Sequence, residues 1–137
     1  MRKLSLFILL ALSMFFLAAC GGGGEADSGS DGAGDASRGE QLYTQTTIGS
    51  ASAPGCVTCH SLEPDVVLVG PSHNGIGARA ETAVPGLSAA DYLEQSIREP
   101  NAHVTDGFTA GVMYQNYANE LSDQEIADLV AFLLTLK

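Results

Sequence analysis

The sequence predicts an all-α domain, with three main helices joined by long loops. Three observations carry that expectation. Capping residues and apolar spacing mark three helices, and no stretch alternates long enough to be a strand. Glycine- and proline-bearing segments, residues 48–55, 64–77 and 101–111, separate the helices. A Cys-x-x-Cys-His run, Cys56 to His60, stands where loops this long need something to pack around.

The 137 residues allow one domain, and the first 19 read as a segment outside it. Met1-Arg2-Lys3 is basic, and residues 4–19 are apolar except for Ser5 and Ser13. That run is short for a span, which needs ~20 residues, and has the layout of a secretory signal. Its end, Leu17-Ala18-Ala19-Cys20, resembles the bacterial lipobox, in which the signal is cut before the cysteine and the thiol is joined to diacylglycerol. The competing reading is an ordinary signal, or an uncleaved anchor, that contains a cysteine. The expected organisation is a lipoprotein signal peptide over 1–19, lipidated Cys20 with a flexible Gly/acidic linker over 20–36, and the folded domain over 37–137. The linker has no apolar periodicity and cannot bury a core. Its r.m.s. span is roughly 20–25 Å.

Within the domain, the first helix is expected near Ser37 to Thr44, with Leu42 and Tyr43 as its apolar contribution. Ser88 caps the second, with Asp91 at its third position and Leu87 and Tyr92 as a hydrophobic staple. It ends near Glu99, because Pro100 blocks continuation. Ser122 caps the third, Glu125 completes a capping box, and Leu121 with Ile126 form the staple. Ile126, Leu129, Val130 and Leu133 then repeat at helical spacing. The segment 64–69 is β-branched but short and isolated.

Six Lys and Arg face sixteen Asp and Glu, a formal charge of −10. Loss of Arg2 and Lys3 with the signal takes it to −12. Nucleic-acid binding through a basic face is excluded, and a body this acidic is not drawn to anionic lipid, so the acyl chains must hold it to the membrane.

Cys56-Val57-Thr58-Cys59-His60 reads as the attachment site of a covalent c-type haem. Two cysteines three apart on one turn reach the two vinyl groups on one edge of the porphyrin. The next residue, His60, is carried under the ring with Nε2 toward iron. A zinc site would need four ligands, and only His73 and His103 remain to complete one. A Cys56–Cys59 redox dithiol is the other alternative. For the opposite face of the iron the candidates are Met113, His73 and His103. Met113 is the one methionine left after signal cleavage, in a loop carrying Gly107 and Gly111. A thioether opposite histidine raises the reduction potential. His73 follows His60 closely and is expected on its side of the ring; His103 is expected at the surface.

With these residues in view, the chain from Ala36 onward resembles class I monohaem cytochrome c. Ser37 to Tyr43 resembles the family's first helix, whose glycine and aromatic, here Gly39 and Tyr43, cross the last helix. Cys56 to His60 is the haem motif. Val69-Gly70-Pro71-Ser72 resembles the loop whose proline carbonyl accepts the Nδ1 proton of the ligand histidine, which implies that Pro71 orients His60. Pro100 through Met113, with the closing helix, resembles the distal loop. The resemblance implies a small fold wrapped around one covalent haem c, with His60 and Met113 on iron and Arg79 near a propionate. Two positions depart from the pattern. Tyr114 replaces the proline that commonly follows the methionine, which lowers loop rigidity, and His73 stands where the family often has an apolar residue.

The function this implies is single-electron transfer between respiratory or photosynthetic partners, with no substrate chemistry and no small-molecule substrate. The expected place is the extracytoplasmic face of a bacterial membrane. The chain is similar to cytochrome c domains associated with respiratory oxidases and to lipid-anchored subunits of quinol-oxidising assemblies such as alternative complex III, so a free-standing carrier and a complex subunit both stand. The domain from residue 36 carries four cations against twelve acids, −8, which favours redox partners with a basic docking surface. The alternative from a different class is a haem enzyme or gas sensor with an open sixth site. A third reading is a non-haem lipoprotein using the dithiol.

Overall fold

The computed structural model describes residues 33–137. The signal peptide, Cys20 and the linker up to residue 32 lie outside the described residues. The elements in order are α1 (Ala36–Tyr43), β1 (Thr47–Ile48), β2 (Ala53–Pro54), a 3-10 turn (Cys56–Thr58), α2 (Ile76–Arg79), a second 3-10 turn (Ala80–Thr82), α3 (Ala89–Arg98), α4 (Tyr117–Glu120) and α5 (Asp123–Thr135). Among the described residues no helix is long and apolar enough to cross a membrane.

The three expected helices form for the reasons read from their caps. Ser88 accepts from the Asp91 amide at the start of α3. Ser122 and Glu125 make both bonds of the capping box at α5. The first helix begins earlier than expected: Asp35 is its N-cap, accepting from the Arg38 amide at 2.8 Å. A Cβ on Gly34 would stand 2.0 Å from the Ala127 carbonyl oxygen. Residues 33–36, expected in the flexible linker, are therefore part of the fold.

Two one-turn helices and a two-residue hairpin were not expected. α2 and α4 are four residues each, too short for any apolar period to register. β1 and β2 pair antiparallel, Thr47 with Pro54 and Ile48 with Ala53, at the ends of the segment 48–55 read as a loop and one residue before it. Residues 64–69 are loop, as their isolation implied.

α1 and α5 cross in close contact. A Cβ on Gly39 would lie 2.0 Å from the carbonyl oxygen of Asp128 and 2.8 Å from Cβ of Phe132. Only a residue without a side chain lets the two backbones come this near. Tyr43, Ile126 and Leu129 are fully buried there, and α2 and α3 also pack on α5.

Asp128 is the one buried charge at this crossing, and it is well partnered. Its carboxylate accepts from the Asp35 amide at 2.7 Å, Arg38 Nε at 2.8 Å and Nη2 at 3.0 Å, and Gln124 Nε2 at 2.8 Å. The Arg38 guanidinium holds this carboxyl below the usual carboxylate range, with the Asp35 amide and Gln124 helping and burial opposing. A depressed folded-state pKa gives stability that is full above the unfolded value of ~3.9 and is lost as pH falls through the folded one. Asp128→Ala should cost about 2 kcal/mol in urea unfolding at neutral pH, since Arg38 is part-exposed and the pair is partly screened. That loss should shrink as pH falls through the depressed folded-state pKa, where the wild-type carboxylate is protonated as well.

Candidate functional site

The site starts with a hairpin that fixes where the cysteines begin. The Gly55 amide donates to the Thr46 carbonyl at 2.9 Å. A Cβ on Gly55 would sit 1.8 Å from the Gln45 carbonyl oxygen, so glycine is required just before Cys56. Cys56–Thr58 then forms a 3-10 turn, with three residues per turn and side chains at i and i+3 eclipsed. Cys56 and Cys59 therefore face the same way. The Cys56 carbonyl accepts from the amides of Cys59 (3.1 Å) and His60 (2.9 Å).

His60 is 8 % exposed. Its Nδ1 lies 2.8 Å from the Pro71 carbonyl oxygen. A carbonyl can only accept, so Nδ1 carries the proton and Nε2 keeps a free lone pair. Burial lowers the pKa of His60, with the Pro71 bond acting against it, so the ring is neutral at physiological pH, the form a metal needs. A Cβ on Gly70 would meet His60 Cε1 at 2.4 Å. The loop from 61 to 73 is closed by three main-chain bonds: Val69 and Gly70 amides to the Cys59 carbonyl (3.2 and 2.9 Å) and the His73 amide to the Ser61 carbonyl (2.7 Å).

The far wall comes from α3 and the loop after it. Tyr92, Leu93 and Ile97 of α3 and Pro100 face the same space as Met113. Asn101 clasps the loop, with Oδ1 accepting from the Gly111 amide (2.7 Å) and Nδ2 donating to Gln115 (2.6 Å). Gly107 and Gly111 take φ of 87° and 80°, which side chains resist. Gln115 in turn donates to the Met113 carbonyl at 2.6 Å. Between the walls is a cavity of about 560 Å3, within the ~300–1,000 Å3 of cofactor sites.

The structure brings Cys56, Cys59, His60, Pro71 and Met113 to this one cavity. It does not bring Arg79. That side chain donates to the carbonyls of Ser72 (2.6 Å) and Asn74 and does not line the cavity. Its guanidinium braces the loop behind Pro71. His73 lies on the His60 side of the cavity, as expected. His103 is exposed, edge-on to Tyr92 and on the cavity wall.

Tyr114, which stands where a proline commonly follows the methionine, has two contacts of its own. Its hydroxyl donates to Glu120, a buried carboxylate that also accepts from the Ala51 amide at 3.3 Å. Its ring stands edge-on to Tyr117, 5.0 Å away. The Tyr114 bond, with the Ala51 amide, holds the Glu120 carboxyl below its usual range. Asn101 and Glu120 escaped sequence reasoning because their partners are set by tertiary folding and follow no local pattern.

Neither Cys56 nor Cys59 is in a disulfide. Burial pushes the Cys56 thiol up to about 11, with Cys59 adding to the rise and a backbone hydrogen bond opposing it. A redox dithiol works through a lowered thiol pKa, so the dithiol reading is disfavoured. Among the described residues no three His, Cys, Asp or Glu side chains converge as a metal site, so a zinc centre has no ligand set.

Residues 36–137 match the family model described as cytochrome c. The chain belongs to the cytochrome c family. A search of the curated proteins returned no match. Cytochromes c hold haem c covalently through two thioether bonds, and the cavity fits that group: both cysteines face one way from a single turn, Nε2 of His60 has a free lone pair, and only glycine fits at 70. The function of the domain is haem-based electron transfer, as an electron carrier.

Proposed function

We infer that this cytochrome c carries single electrons on the extracytoplasmic face of a bacterial membrane, tethered by lipid at Cys20, with His60 and Met113 as the two axial ligands. The observation that carries the ligation is the placing of a tautomer-fixed His60 and the single methionine of residues 33–137 around one cavity. Bound haem c supplies a one-electron iron couple. The chain's part is to hold two strong ligands, exclude water and leave no open coordination position. Tyr92, Leu93, Ile97, Leu129 and Leu133 make the pocket apolar, which favours the less charged ferrous form.

The rim supports an electron-transfer surface. Val69 and Val112 line the cavity yet are 52 % and 54 % exposed, and Val66 to Leu68 continue the apolar strip. A partner with a basic border around an apolar centre would suit this rim and the acidic body. Such a partner is a soluble redox protein or a neighbouring subunit of a quinol-oxidising complex of the alternative complex III type.

The deciding experiment is the spectrum of matured ferric protein. Low-spin iron with the weak far-red thioether band supports His60–Met113 ligation and the carrier reading. High-spin iron would replace it with an enzyme or gas sensor, and a bis-imidazole spectrum would put His103 in place of Met113. Tyr114→Phe should keep the band but make it disappear at a severalfold lower concentration of competing imidazole, because the loop loses its hold on Glu120. For the tether, Cys20→Ser should move the protein from the membrane to the soluble fraction; retention of the variant would mean an uncleaved anchor or docking on a complex.

A further inference from the structure

His73 has no part in the function above, yet it sits in a built environment. Its ring centroid is 3.9 Å from that of His60, with planes 14° apart. Its Nδ1 is 3.2 Å from the Tyr43 hydroxyl, which is also 3.3 Å from the His60 carbonyl oxygen. One proton arrangement satisfies both contacts. Tyr43 donates to the His60 carbonyl and accepts from Nδ1–H of His73. Tyr43 is fully buried, 5.2 Å from the ring of Phe132 in α5. The stack is thereby anchored to the α1–α5 crossing. Burial, then the nearby His60 and Arg79, push the pKa of His73 far down, so a neutral ring faces His60.

We propose that His73 is a positioning residue for His60: its stacked ring, held by Tyr43, sets the rotation of the axial imidazole about its Cβ–Cγ bond. The bond to Pro71 fixes one atom of the His60 ring and leaves the ring able to rock about that contact. A flat group parallel to its face removes that freedom, while Gly70 closes on Cε1. Groups that orient a metal-ligating histidine tune the metal it holds. An aliphatic side chain at 73 fills the same space but presents no flat face and no partner for Tyr43.

The inference rests on His60 ligating iron, and the test separates the two. Wild type, His73→Leu, His73→Phe and Tyr43→Phe are compared as matured holoproteins by ferric EPR and redox titration. His73→Leu should shift the low-spin g values. It should also change the reduction equilibrium at least threefold, ~28 mV at 59 mV per decade for one electron. His73→Phe, which restores a flat ring, should return both toward wild type. Wild-type g values together with a change under threefold in His73→Leu would show that residue 73 only fills space, and would overturn the proposal. If His73→Leu does not mature, Tyr43→Phe decides: moved g values support the brace, and unmoved ones overturn it. A wild-type spectrum without histidine ligation is a different result, and it would remove the reading of the axial ligands itself.

Discussion

Met113→Ala will turn a closed site into an open one. The variant should lose the far-red thioether band, become high-spin in the ferric state, and bind added azide or carbon monoxide. Its reduction equilibrium should fall about a hundredfold, ~120 mV for one electron, because a neutral thioether favours the ferrous form more than water does. The size of the effect follows from how the wall is built. The Asn101 clasp on Gly111 and Gln115, and the Tyr114–Glu120 bond, hold the loop on both sides of Met113. Truncation therefore leaves the loop in place and the position vacant. Val112→Ala, a neighbour on the exposed rim, is the control and should keep the band. An unchanged spectrum in Met113→Ala would show that another side chain holds the iron.

Gly39→Leu should be strongly destabilising, about 4 kcal/mol in denaturant unfolding of the ferric holoprotein. That is a large part of the ~5–15 kcal/mol available to a small domain. The clash is with backbone. The added Cβ meets the Asp128 carbonyl oxygen at 2.0 Å and its carbonyl carbon at 2.6 Å, so no rotamer relieves it. Alanine alone should already be strongly destabilising. Separation of α1 from α5 would also break the Arg38–Asp128 bonds and pull Tyr43 from His60. Equal denaturation midpoints for Gly39→Ala and wild type would mean the helices do not cross at this residue.

Legibility followed the range of the interaction. The caps of α3 and α5 were readable because Ser88, Asp91, Ser122 and Glu125 bond within three residues of one another. The haem motif was readable because one turn carries it all. The bracing by Arg79 was not readable because a cation near a loop has many acceptors, and sequence does not rank them; here it bonds the Ser72 and Asn74 carbonyls. The Tyr114–Glu120 bond was not readable because Glu120 is also held by the Ala51 amide, 69 residues away.

By itself the sequence determined the three longer helices, the Cys56–His60 turn and the covalent group that turn implies, since each depends on side chains close along the chain. Pro71 was expected to orient His60, and its carbonyl lies on Nδ1. Tertiary structure alone decided the other supports: Asp128 meets Arg38 across ninety residues, and His73 is turned flat against His60 by a tyrosine thirty positions earlier. Such contacts exist only after folding has closed the loops between them, and no local propensity encodes them.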